Sequence, residues 1–296
     1  MRIGWRSISD EGAVIQCRSI RRRHLLNRFV RFLSAAASLI GLSALIWILA
    51  VVIQRGIGAM NWAFFVELPA PPGIAGGGLA NAIVGTILIT ALATVLGVGI
   101  GILAGIYLSE FGRSGRLGVV VRFCSDILMS APSIVIGVFV YVILVLPTGH
   151  FSGTAGAVAL AIIMLPVVTR TTEEMLKLVP DDLREAALAL GAPRWKMILD
   201  VVIRGARSGI LTGVMLAVAR VSGETAPLLF TSLNSPYWSS SLNEPMGNLT
   251  VTIFNYAMSP YEDWQSLAWG ASLLITAGVC FFTVSARLIL RGRRGS

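Results

Sequence analysis

Apolar side chains gather into six runs: Phe32–Ile53, Ile83–Leu108, Ile127–Leu146, Thr154–Val168, Gly209–Phe230 and Leu267–Leu290. Most charged residues fall in the segments between them. A bilayer core about 30 Å thick takes about 20 apolar residues per helix. Five of the runs meet that length, and the fourth is shorter and carries Pro166. The pattern predicts an all-α membrane protein with six transmembrane helices.

Basic residues decide the count. Arg2, Arg6, Arg18, Arg21, Arg22, Arg23, Arg28 and Arg31 precede the first run, and Arg113, Arg116 and Arg122 follow the second. Arg170, Lys177, Arg184, Arg194, Lys196, Arg204 and Arg207 follow the fourth, and Arg287, Arg291, Arg293 and Arg294 close the chain. The alternate loops hold Arg55 and otherwise no Lys or Arg. Six crossings put every basic segment on one face, which the positive-inside rule makes cytoplasmic. Five would put the basic C-terminus opposite the basic N-terminus. Both termini are therefore expected inside. The organisation reads as a basic cytoplasmic tail (1–31), a first helix with its external loop (32–82), a five-helix core (83–290) containing a cytoplasmic loop at 170–208, and a short basic tail (291–296). The first run exceeds the 7–15 residues of a signal-peptide core and no cleavage-like ending follows it, so it is expected to stay as an uncleaved span.

Composition agrees. Charged residues are 13% of the chain, about half the usual share of a soluble domain, and mean hydropathy is +0.78. The net charge of +9 does not point to nucleic acid, because the cations flank apolar runs rather than forming one patch. Cys17, Cys124 and Cys280 have no evident partners and are expected as free thiols. His24 and His150 are too isolated for a metal site, and no cofactor is expected.

Smaller features refine the picture. Gly97, Gly101 and Gly105 form a small-residue ridge, expected to pack against another helix. The external loops 55–82 and 231–266 are rich in Pro. In the second, Trp238 and Trp264 suit either an interfacial belt or a docking surface. Asn248-Leu249-Thr250 matches a glycosylation triplet of the kind that arises by chance. Arg122 and Asp126, four residues apart, are expected to pair at a membrane boundary.

Arg220 is the costly residue. It lies inside the fifth apolar run, where a guanidinium costs at least ~2.5–3.5 kcal/mol on insertion scales and cannot shed its proton. Glu224 is four residues on, one turn away on the same helix face. Two readings stand: a self-neutralising pair, or an anion station in which the guanidinium gives two parallel hydrogen bonds to a phosphate-like group. Arg170 suits either a second, inner station or an ordinary positive-inside anchor.

The loop at 170–208 has its own signature. Asp181 and Asp182 after Pro180 suit a helix start, with an Asp oxygen capping it. Glu185-Ala186-Ala187-Leu188-Ala189-Leu190 continues the helix, and Gly191 stops it in a left-handed conformation. Pro193 then opens a second helix. Glu185-Ala186-Ala187 followed by Gly191 resembles the EAA loop of ABC-importer permeases. The family's I-x-L-P ending has drifted here to Val201, Ile203 and Arg204. Further stretches resemble the permease subunits of phosphate ABC importers: Ser130-Ala131-Pro132-Ser133-Ile134-Val135, Arg170-Thr171-Thr172-Glu173, Gly223-Glu224-Thr225-Ala226-Pro227-Leu228-Leu229-Phe230-Thr231 and Asn248-Leu249-Thr250-Val251-Thr252-Ile253-Phe254. They cover roughly residues 76–285.

That resemblance implies a type I ABC-importer permease, multi-pass in the inner (cytoplasmic) membrane, carrying inorganic phosphate and performing no covalent chemistry. It implies a second permease subunit, ATPase subunits at Glu185, Ala186, Ala187 and Gly191, and an external phosphate-binding protein. It also implies that Arg220 and Glu224 line the substrate path. The chain has no G-x-x-x-x-G-K-[ST] loop, so the energy must come from such a partner. Permeases for another oxyanion, sulfate or molybdate, and a non-transporting signalling or scaffold subunit are the alternatives.

Overall fold

A computed structural model describes the backbone of residues 10–292 apart from 75 and 114, and the side chains of 22–285 and 288 within that stretch. Arg2, Arg6, Cys17, Arg18, Arg21 and the four C-terminal arginines lie outside the described side chains. In chain order the helices are α1 (Asp10–Gly56), α2 (Trp62–Val66), α3 (Ala80–Glu110), α4 (Arg116–Ser130), α5 (Ser133–Val140), α6 (Leu146–Thr148) and α7 (Gly153–Lys177). They continue with α8 (Asp181–Ala189), α9 (Arg194–Met197), α10 (Arg204–Val221), α11 (Ala226–Leu229), α12 (Leu249–Ala257) and α13 (Glu262–Gly292). The π-helical stretches Tyr141–Val145 and Ile198–Ile203 join α5 to α6 and α9 to α10. No strand occurs among the described residues, where Pro69 and Gly77 form an isolated bridge.

Five helices are long and apolar enough to cross a membrane, and a sixth span results if the bent pair Arg116–Ser130 and Ser133–Thr148 is counted as one. The chain divides into two units, residues 1–54 and 55–296. In the first, the described residues form one helix whose apolar side chains, Phe32, Leu39, Ile40 and Trp47 among them, are exposed. The second holds the packed core.

Two expected spans are corrected. Ile127–Leu146 is not one straight helix: the chain breaks at Ala131-Pro132 and turns by 107°. Proline disfavours helical geometry in the residue before it, and Ala131 is extended (φ −68°, ψ 134°). Gly209–Phe230 is not one helix either. Its helical part begins far earlier, in an unbroken run from Arg194 to Val221, and ends at Ser222-Gly223. The second helix of the cytoplasmic loop is thus the foot of the span itself.

α7 is the hub, with most of its residues buried. Pro166 lies inside it and is buried, a residue tolerated in membrane helices because neighbouring groups satisfy the freed backbone. The glycine ridge of α3 lies against it. A methyl group on Gly97 would meet Ala161 O at 3.1 Å, one on Gly101 would meet Val168 Cβ at 2.9 Å, and one on Gly105 would meet Thr172 Cβ at 2.6 Å. The ridge is an intrachain packing surface. α10 packs on another face of α7, with Gly213 against Thr171 and Gly209 against Met175; the two helices run in opposite directions.

The segment from Ser222 to Ala257 folds back on the bundle, its irregular backbone held by buried polar groups. Asn81 Nδ2 donates to Ser235 O (2.6 Å), and Leu249 N–H donates to Thr86 Oγ1 (2.8 Å). Asn248, fully buried, caps α12 by accepting from Val251 N–H (2.9 Å), so the glycosylation triplet is a helix cap. Trp264 stacks on Tyr256 at 4.4 Å, in a cluster with Phe64 and Leu79; Trp238 and Tyr237 are exposed.

Candidate translocation and coupling sites

Arg220 stands in the last turn of α10 and is 54% exposed at its side chain, while Glu224 beyond the helix end is 17% exposed. Their nearest charged atoms, Arg220 Nε and Glu224 Oε1, are 3.8 Å apart. At 1.5 Å per residue, Arg220 lies about 20 Å along the helix from Arg207, a rise shorter than the thickness of about 30 Å of a hydrocarbon core. The expectation of an Arg at mid-span therefore needs one correction: the helix stops there. Its last carbonyls carry partial negative charge, which a cation favours. Ser222 N–H returns to Val218 O (3.0 Å) and Gly223 N–H to Arg220 O (3.2 Å). The Glu224 carbonyl accepts from Thr250 Oγ1 (2.9 Å), fastening the break to α12. Glu224 meets the guanidinium by one long contact, and among the described residues no hydrogen-bond acceptor takes up its other N–H donors. A helix broken at membrane depth is tolerated where it is buried in protein or lines a cavity.

Arg170 belongs to a different cluster. Thr171, its neighbour on α7, faces Gly213 of α10, seven residues or about 10 Å below Arg220. Arg170 pairs with Glu174 (Nε–Oε1 3.0 Å) and lies 3.7 Å from Glu173. Glu173 is the centre of this cluster and fully buried. It accepts from Arg122 Nε (2.8 Å) and Lys177 Nζ (2.5 Å), and its Oε2 has no hydrogen-bond partner. Arg122 does not pair with Asp126, as the spacing suggested. Its Nη2 turns to Leu108 O (3.0 Å), in the last turn of α3 where carbonyls lack intrahelical partners, and to Gly112 O just past the helix (3.2 Å). Asp126 is exposed.

The loop at 170–208 has the expected helix–Gly–helix shape. Gly191 adopts φ +80°, with Gly191 N–H bonded to Leu188 O (3.0 Å) and Ala192 N–H to Ala187 O (3.2 Å). This is a Schellman stop. The expected Asp cap is absent: Pro180 holds the cap position, and Asp181 instead accepts from Arg184 (3.1 Å) and Arg113 (3.3 Å). Glu185 and Ala186 are exposed and Ala187 is half-buried. Leu183, Leu188, Leu190 and Trp195 are exposed around them.

The structure brings Arg220 and Glu224 together and leaves Arg170 with Glu174. Glu173, the centre of the Arg170 cluster, was not singled out from the sequence. Glu173 and Lys177 at i,i+4 were readable as a pair, whereas the Arg122 partnership spans 51 residues.

The family model for the binding-protein-dependent transport system inner membrane component matches residues 97–295. The chain belongs to that family. It is 54% identical over 272 residues, 92% of each chain, to the phosphate transport system permease protein PstA of Yersinia pestis. It is 50% identical to the protein of that name from Pasteurella multocida, covering 90% of this chain and 95% of the relative. A probable phosphate transport system permease protein PstA of Methanocaldococcus jannaschii is 36% identical over 255 residues. Among solved structures, the chain matches the inward-facing MetNI methionine ABC transporter with a TM-score of 0.62 at 19% identity, covering 72% of this chain and 95% of that one. This likeness shows the fold, a type I ABC-importer permease. The chain is a multi-pass membrane protein of a transport family, not of an enzyme family.

Proposed function

We propose that this chain is a permease subunit of an ATP-driven importer of inorganic phosphate in the inner membrane. The observation that carries the reading is identity of 54% over 92% of the chain to a phosphate permease. The exposed Arg220 guanidinium at a mid-membrane helix break agrees with it. Arg220 offers two parallel N–H donors to phosphate oxygens. Glu224 orients it and keeps the empty path near neutral, and Arg170 is the next cation about 10 Å inward. A second permease completes the path, and a phosphate-binding protein delivers the anion outside.

The work comes from ATPase subunits docked on α8. The exposed Glu185, Leu188 and Leu190 supply a surface for that contact, and Gly191 sets its angle. Nucleotide-driven movement of α8 shifts the bundle between two states, which requires contacts that differ between them.

Phosphate uptake in cells lacking this chain, with and without a plasmid copy, tests the proposal. Phosphate uptake that depends on the copy supports it. Unchanged phosphate uptake with lost sulfate or molybdate uptake would replace it with another oxyanion.

A further inference from the structure

We propose that Arg184 is the joint through which movement of the cytoplasmic helix α8 reaches the membrane bundle. This rests on the reading of the chain as an ATP-coupled permease. Among the described residues of α8, Arg184 is the buried one; Leu183 and Leu188 point outward. An amphipathic helix ordinarily docks by its apolar stripe. This one adds a buried guanidinium to the apolar contact that Ala187 makes with the cluster of Met197, Ile198 and Val202.

The contacts of that guanidinium reach three helices. Nη2 donates to Glu110 Oε1 at the end of α3 (3.1 Å) and to Leu176 O near the end of α7 (2.8 Å). Nη1 donates to Val179 O just past α7 (2.5 Å) and to Asp181 of α8 itself (3.1 Å). Both members of the Arg184–Glu110 pair are desolvated, with side chains 8% and 6% exposed. Glu110 also accepts from Ser109 Oγ (2.9 Å), which fixes its orientation. Leu176 O lies in the last turn of α7, where carbonyls are partly negative, and it also accepts from Val179 N–H (3.2 Å). Only a planar fork reaches all of these at once; an ammonium cannot.

The joint has room to work and something rigid to push. A cavity of about 400 Å³ lies beside it, lined in part by Glu110, Arg113, Glu185 and Met197. Beyond the joint, α3 and α7 are locked together by the glycine ridge, with Gly101 and Gly105 in direct contact with α7. A displacement of α8 carried by Arg184 therefore reaches α3 and α7 as a unit. Arg184 is a positioning residue: it touches neither the transported anion nor nucleotide.

The test uses the whole complex in liposomes, with Arg184→Lys, Glu110→Gln and the double variant. Assembly, basal ATPase, ATPase stimulation by loaded binding protein, and phosphate carried per ATP are each measured. The expected result is normal assembly and basal ATPase. Stimulation should fall by about two- to thirtyfold, the range over which coupling changes without loss of binding, and the double variant should be no worse than Arg184→Lys alone. Normal stimulation and normal phosphate per ATP in all three would overturn the proposal. So would losses of stimulation that merely track lost assembly, including failure of both single variants to assemble. A wild-type complex stimulated by its binding protein but carrying an anion other than phosphate would sink the phosphate reading and leave this test intact.

Discussion

Arg220 and Glu224 face each other across the end of α10, 3.8 Å apart, with the helix stopping at Val221 between them. A pair within one continuous helix would neutralise itself. Here the cation sits on the last turn and the anion on the return of the chain, so the distance between them depends on how the break is held. Thr250 holds it through the Glu224 carbonyl. Thr250→Val is expected to leave the chain folded and to lower uptake more than it lowers thermal stability; uptake and melting temperature of the purified complex check this.

The α3–α7 contact has no spare room. Gly101→Leu would drive a side chain into Val168 and the Leu165 carbonyl. Overpacking of this kind costs ~1–3 kcal/mol or more. The expected outcome is a lower melting temperature in detergent and poor membrane accumulation, whereas Gly99→Leu, with nothing within 4 Å, is expected to be tolerated.

Glu173 holds together cations from two helices. Glu173→Leu leaves Arg122 at 20% side-chain exposure without its carboxylate and removes the neighbour of Lys177. Breaking a buried pair by removing one partner costs ~3–5 kcal/mol; with Lys177 and Arg170 partly in solvent, the lower end is expected. Glu173→Gln should recover part of that loss. Thermal unfolding of both variants measures the difference.

Gly191 has open space around its Cα, so a methyl group there meets nothing. Its φ of +80° is the obstacle. Gly191→Ala is expected to cost ~1–2 kcal/mol from backbone conformation alone, loosening the α8–α9 turn. Retention of ATPase subunits on the purified chain should weaken while the membrane bundle keeps its melting temperature.

The apolar runs were legible because hydropathy reports burial in lipid. Helix ends were not. α10 is continuous with a helix starting at Arg194, in a segment whose charges read as a soluble loop; a helix leaving the bilayer keeps its backbone geometry while its side chains change. The break at Ser222-Gly223 was hidden by the apolar residues that continue beyond it to Phe230. Pro132 carried a local signal for the 107° turn, but the surrounding hydropathy outweighed it. Gly191 was readable from its position after a helix-forming run. Arg184 and Glu110, 74 residues apart in sequence, were not, since nothing local tells a buried guanidinium from a cytoplasmic anchor.

Uptake of labelled phosphate by liposomes containing the assembled complex, wild type against Arg220→Gln, is the most direct measurement. Glutamine keeps polar donors but loses the fixed charge. The account predicts an intact complex, basal ATPase near wild type and phosphate uptake reduced by at least about tenfold, as expected for loss of a charge-assisted bidentate contact. Intact assembly with undiminished uptake would contradict it, and would leave Arg220 and Glu224 as no more than a self-neutralising pair.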